Sequence, residues 1–160
     1  MLKVGLIGLK GAMHTHLKSI QSKPDKMVCY AISDNNEEVL AREKANLPDV
    51  LAFNDYREMI KLPELDAVII ATPHDTHKQI CIDCLNAGKN VLIEKPLAPT
   101  VVECQEILSA AEKSGKVLAV GHNERFIPGY AKIKQIVDSG ELGRLFGART
   151  DHYQNFNPRE

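Results

Sequence analysis

The sequence carries no surplus of either charge: 20 lysines and arginines stand against 21 aspartates and glutamates, a formal net charge of −1. It therefore lacks the basic excess with which proteins hold nucleic acid or anionic membrane, and neither is expected as a partner. Long apolar runs are missing too. Ala67 to Ala71 is typical of the longest, which is strand-sized, and the first residues have neither the apolar core nor the small-residue cleavage site of a secretory leader. No membrane association is expected, and a cytoplasmic setting is. A disulfide framework is absent as well, since Cys29, Cys81, Cys84 and Cys104 are scattered through apolar segments as reduced, small hydrophobes. Cys81-Ile82-Asp83-Cys84 has redox or metal spacing, yet it falls inside a helical pattern with no second cysteine pair. No metal site is expected. There is no internal repeat and no low-complexity segment.

What is present is an alternation of strands and helices over almost the whole length. The 160 residues fit one ordinary domain that buries roughly two thirds of the surface its unfolded chain exposes. Strands are read at Lys3 to Ile7, Met27 to Ile32, Val50 to Phe53, Ala67 to Ala71, Asn90 to Ile93 and Val117 to Val120. Their nearly continuous apolar character predicts helices on both faces of the sheet, an α/β, doubly wound parallel sheet of the Rossmann type. Asp34 with Glu37, and Thr100 with Glu103, have the spacing of capping boxes, and Gly88, Gly115 and Gly140 sit where helices end. Ser139 to Gly143 is the candidate boundary, giving a domain over residues 1–143 and a further segment, 144–160. Within that segment Leu145 to Tyr153 reads as one more strand.

Parallel sheets bind ligands at the carboxyl ends of their strands, so the residues just past each strand are the candidates. Gly8 follows the first strand and opens a glycine turn before a helix from Met13 to Ser22, the place for a dinucleotide pyrophosphate. Of the three fingerprint glycines, only Gly8 is present. Lys10 takes the second position and Met13 the third, while Gly11 and Ala12 lie between them. Lys10 has two readings, a phosphate contact or a cation pointing to solvent. Asp34 closes the second strand at the place of the acid that receives a ribose hydroxyl; a helix cap is its other, compatible role. No arginine follows between Asn35 and Val39, which favours NAD over NADP.

Ala71-Thr72-Pro73-His74 ends the fourth strand, with His77 just inside the next helix. His74 and His77 are read as a cap and a packing residue rather than metal ligands, because no partner of matching spacing accompanies them. His14 and His16, two apart, do not share a helix face. Glu94-Lys95-Pro96 follows the fifth strand and puts a cation at the mouth of the crevice. Lys95 is read either as a group that holds a substrate hydroxyl or carries a proton, or as half of a solvated loop pair.

Taken in order, these segments resemble the N-terminal half of the Gfo/Idh/MocA oxidoreductases, the glucose-fructose oxidoreductase and inositol dehydrogenase family. The resemblance rests on Val4 to His16, Asp34, Asp66 to Pro73 with His77, Ala87 to Leu97, Gly121 to Phe126 and Ser139 to Arg144. It implies that Lys95 is the catalytic lysine, near the nicotinamide and the substrate hydroxyl, with a cis Lys95-Pro96 bond. It also implies that Thr72, Pro73 and Glu94 line the cofactor cleft, with Ala71 and His77 in the same segment. His122, Asn123 and Arg125 would lie toward the nicotinamide end. The implied reaction is hydride transfer between NAD or NADP and a sugar, inositol or related polyol.

The resemblance further implies a second, open-sheet domain that chooses the substrate and supplies proton-transfer partners. Leu145 to Tyr153 would be the first strand of that missing domain, and the chain reads as an isolated cofactor domain, inactive by itself, or as a naturally short protein. The alternative function is a non-catalytic dinucleotide- or sugar-binding regulatory module, which the altered glycine turn would suit. An unpaired strand at Leu145 to Tyr153 would also template a homo-oligomer.

Overall fold

Residues 1–151 are described by the computed structural model, in which the chain divides into two compact units, Met1–His122 and one beginning at Asn123. The first unit contains a six-stranded sheet: β1 (Leu2–Ile7), β2 (Met27–Ser33), β3 (Leu51–Phe53), β4 (Ala67–Ile70), β5 (Asn90–Ile93) and β6 (Leu118–Val120). Every pairing is parallel and the order is β3-β2-β1-β4-β5-β6, so the chain reverses its direction of winding between β1 and β4. The helices between them are α1 (Met13–Gln21), α2 (Glu37–Asn46), α3 (Tyr56–Met59), α4 (His77–Asn86) and α5 (Val101–Ser114). None of the described helices is long and apolar enough to cross a membrane.

Side-chain alternation along the strands explains the two covered faces. Successive strand residues point to opposite sides. Leu6, Ile32 and Ile69 enter one buried cluster with Met13, Ile20, Val39 and Leu40, while their neighbours Ile7, Ala31 and Ile70 enter the other. Cys81 and Cys84 are buried in that second cluster on α4, as free thiols. Burial pushes the Cys81 thiol up to about 12 and raises Cys84 as well, so both stay protonated and act as packing groups at neutral pH.

Local chemistry sets the helix ends, with one departure from expectation. Thr100 caps α5, accepting from the Glu103 amide at 3.3 Å, and Gly115 closes it with φ +63°. At α2 the cap is Asn36 rather than Asp34: the Asn36 side chain accepts from the Val39 amide at 3.1 Å. The Asp34 carboxylate is occupied by other amides, those of Leu9 and Asn36.

The second unit, taken by itself, has a tight turn at Asn123–Phe126 and α6 (Pro128–Asp138), with proline in the first turn. The strand expected from Leu145 does not form: Leu145 to Asp151 has no regular secondary structure, and Tyr153 lies outside the described residues. A strand is stable only against a hydrogen-bonded neighbour, and none adjoins this segment among the described residues.

At the opposite end of the sheet from the strand carboxyl ends, Lys89 is buried, and its ammonium donates to the Leu62 carbonyl at 2.7 Å and the Leu65 carbonyl at 3.0 Å. Burial lowers its pKa, with the Asp66 charge acting in the opposite direction. Two charge-assisted bonds tie the α3–β4 loop to β5. Lys89→Ala is expected to lower stability by about 1–3 kcal/mol in urea unfolding. The exposed Lys113→Ala control is expected to stay within about 0.5 kcal/mol of the parent.

Candidate functional site

The site begins where β1 meets the end of β4. Gly8 has φ +81°, and a Cβ there would fall 2.8 Å from both the Ala71 carbonyl oxygen and the Thr72 methyl carbon. Glycine is therefore required by backbone conformation and by space. The Gly8 amide donates to the Ser33 carbonyl at 2.9 Å, and the Leu9 amide donates to Asp34 Oδ2 at 2.8 Å. These two bonds fasten the turn to the end of β2.

Beyond Leu9 the turn opens. Among the described residues, the Lys10, Gly11 and Ala12 amides have no protein acceptor, Ala12 begins α1 without a side-chain cap, and the first turn of α1 holds no acid. Free amides and an uncompensated helix N-terminus favour an anion. Met13 does not face this opening. It is 2 % exposed and packs in the cluster with Leu6, Leu9 and Ile32, filling the helix–strand interface where a third glycine would bring the two closer.

Gly8, Lys10, Asp34, Ala71, Thr72 and Pro73 line one cavity of about 810 Å³. Six of the candidate residues are thereby brought together. A second depression of about 450 Å³ is lined only by residues of α4 and α5 and includes no strand end. The large cavity also has a wall that sequence reasoning missed, Asn54 to Arg57. Here the Tyr56 hydroxyl donates to Asp83 Oδ2 at 2.6 Å, and the Gln79 amide donates to Asp83 Oδ1 at 2.7 Å. The Arg57 guanidinium lies over the Tyr56 ring at 4.7 Å. Burial, then the Asp83 bond and charge, raise the Tyr56 pKa, so its hydroxyl remains a donor. The signal for this wall was the strand order, which sets the end of β3 beside that of β2.

At the end of β5 the Lys95-Pro96 peptide is cis, and Lys95 is exposed. Among the described residues its ammonium has no ion-pair partner. Glu94 is turned inward, with Oε1 2.8 Å from His16 Nε2 and Oε2 accepting from the Lys95 amide at 3.2 Å. His16, which the sequence offered only as a poor ligand, thus belongs to the strand-end cluster. His77 is fully buried, with Nδ1 2.9 Å from the Pro96 carbonyl oxygen and Nε2 3.0 Å from that of Thr72. It packs between the two loops rather than lining the cavity. No group of three or more potential metal ligands occurs among the described residues. Asn123 and Arg125 fall in the turn that opens the second unit.

Residues 2–122 match the family described as "Oxidoreductase family, NAD-binding Rossmann fold", GFO_IDH_MocA. The chain is 32 % identical over 157 residues to inositol 2-dehydrogenase of Salmonella typhimurium, spanning 95 % of this chain and 46 % of that protein. It is 34 % identical over 146 residues to myo-inositol 2-dehydrogenase of Thermotoga maritima, spanning 89 % and 42 %. Among solved structures, the WlbA dehydrogenase of Bordetella pertussis in complex with NADH and UDP-GlcNAcA is similar with a TM-score of 0.86 and 26 % identity, over 89 % of this chain and 43 % of that one. The chain thus spans less than half the length of these relatives.

The turn geometry separates two glycines with the same backbone sign. Gly11 also has positive φ, +55°, but nothing lies within 4 Å of an added Cβ. Gly11→Ala is expected to cost about 1–2 kcal/mol for the left-handed conformation alone. Gly8→Ala is expected to cost more, because the Ala71 main chain must also move. Urea unfolding of both variants checks this, and equal losses would show that the contact at Gly8 relaxes freely.

Proposed function

Because the chain belongs to the Gfo/Idh/MocA oxidoreductase family with its NAD-binding Rossmann fold, we propose that it is the cofactor-binding half of a dehydrogenase acting on a sugar, inositol or related polyol. The observation that carries this reading is the convergence of Gly8, Asp34 and Thr72 on one cavity at the β1–β4 switch, with Lys95 one strand further along the same edge.

The residues fit a dinucleotide. Gly8 allows main-chain approach, and the free amides of Lys10, Gly11 and Ala12 offer donors to a pyrophosphate, with Lys10 as a nearby cation. Asp34 accepts one amide on each oxygen and keeps lone pairs for ribose hydroxyls. Arg57 lines the same cavity, but its guanidinium is near Asp55 and Asp83 at 3.5 and 3.6 Å, so it is not a free receiver for a 2′-phosphate. Bound NAD would supply the hydride acceptor. Lys95 would orient the substrate hydroxyl and hold or move its proton.

A non-catalytic binding module is the second reading, favoured by Lys10 and Met13 standing in place of two fingerprint glycines. Binding and turnover separate the two. NADH is expected to bind more tightly than NADPH in calorimetric titration, because Asp34 repels a 2′-phosphate; tighter NADPH binding would remove Asp34 from that role. The 160 residues alone are expected to give negligible dehydrogenase activity. In a form that carries the substrate half, Lys95→Ala is expected to lower kcat at least about 100-fold, the scale of one lost acid–base group, with little change in NADH affinity. Equal loss of both would make Lys95 a cofactor ligand, and no turnover in the parent with any polyol would favour the binding module.

A further inference from the structure

Lys95 is exposed, yet the residues on both sides of it are held from elsewhere in the fold. On one side, Glu94 Oε1 lies 2.8 Å from His16 Nε2, and both side chains are only 18 % exposed. Glu94 Oε2 accepts from the amide of Lys95 itself. The carboxylate is also walled by Gly121 at the end of β6, where an added Cβ would lie 3.3 Å from Glu94 Cδ and Oε1. On the other side, the Pro96 carbonyl meets buried His77 Nδ1, whose ring also reaches the Thr72 carbonyl.

We propose that His16 on α1 and His77 on α4 are positioning residues that bracket Lys95. His16 aims the Glu94 carboxylate at the Lys95 amide, and His77 fixes the carbonyl that follows. Because α1 opens at the glycine turn and the His77 ring also packs against the Thr72 loop, the lysine is set in register with both ends of the cavity floor. Neither histidine touches the reacting atoms on this reading. It rests on Lys95 being the reactive lysine, but the position of the Lys95 main chain can be measured without cofactor or substrate.

The test is amide hydrogen exchange of this chain, residue by residue, in the parent and in His16→Ala, His16→Gln and His16→Asn. A glutamine amide reaches as far as Nε2 of histidine, and an asparagine amide does not. His16→Ala is expected to speed exchange at Lys95 about tenfold or more, the equivalent of one lost bond to a charged group. The amides of β1 and β4 should keep their parent rates. Gln is expected to restore protection and Asn is not. Unchanged exchange at Lys95 would overturn the proposal for His16, and uniform acceleration through the sheet would reduce it to a structural role, which also overturns it. For His77, whose replacement can unfold the core, the parent protein suffices. A slowly exchanging proton on His77 Nδ1 in nitrogen-resolved spectra is expected, and a ring protonated on Nε2 alone, or with no protected proton, would refute its bond to Pro96. Failure of these outcomes leaves the Lys95→Ala kinetics unaffected, so the two readings fail separately.

Discussion

The approach of the Gly8 main chain to the Ala71 carbonyl is the constraint on which the rest of the site depends. It exists because β1 and β4 are neighbours at the winding switch, paired in register up to Ile7 and Ile70, so that both chains leave the sheet at the same level. Any side chain at Gly8 would force the two exits apart and open the floor of the cavity. Asp34 then spans from the third exit, at β2, to the Leu9 amide. The floor is thus main chain, held by a backbone bond and a charge-assisted one, the latter worth about 1.5–3 kcal/mol. Exposed pairs such as Lys61 with Glu58 are worth about 0.2–1 kcal/mol, so the strand-end bonds and not the surface pairs set the rigidity of this edge.

A consequence follows for charge. Two acids at the carboxyl edge are satisfied locally, Asp34 by amides and Glu94 by His16 and the Lys95 amide. Neither consumes a lysine or an arginine. Among the described residues Lys10 and Lys95 are therefore left without ion-pair partners, one over the glycine turn and one at the end of β5. Arg57 is the opposite case, a cavity cation already held between two aspartates and an aromatic ring. The edge leaves positive charge free at the glycine turn and at the end of β5, and holds it paired beside the end of β3.

Much of this was legible in the sequence because it depends on short-range rules. Strand limits came within about two residues, since apolar runs between glycine and proline punctuation leave little choice. Gly8, Asp34 and Thr72 were recognisable because each follows a strand directly. Four things were not legible, each for a physical reason. The cap of α2 passed to Asn36 because Asp34 had a tertiary partner 25 residues away, which no local spacing reveals. Met13 looked like a cleft residue by motif position, whereas helix packing turned it into the core. The expected strand at Leu145 has, among the described residues, no neighbour to pair with, which a strand needs beyond its own propensity. His16 was dismissed for its spacing from His14, a test of helix-face sharing that cannot find a partner on another element.

An exposed lysine is a loose instrument, since its side chain carries about 2 kcal/mol of rotamer entropy. The fold does not spend contacts on immobilising the ammonium. It holds instead the peptide groups on either side, through Glu94 and Pro96, so that the stem starts from a fixed point while its tip is exposed and has no ion-pair partner among the described residues. In the proposed role, ordering of the tip would be left to the hydroxyl it meets, and part of that group's binding energy would go into placing the lysine. A lysine clamped by an acidic partner would arrive pre-placed but already paired, and a ligand would have to displace that partner first. Fixing the root and freeing the tip avoids that competition.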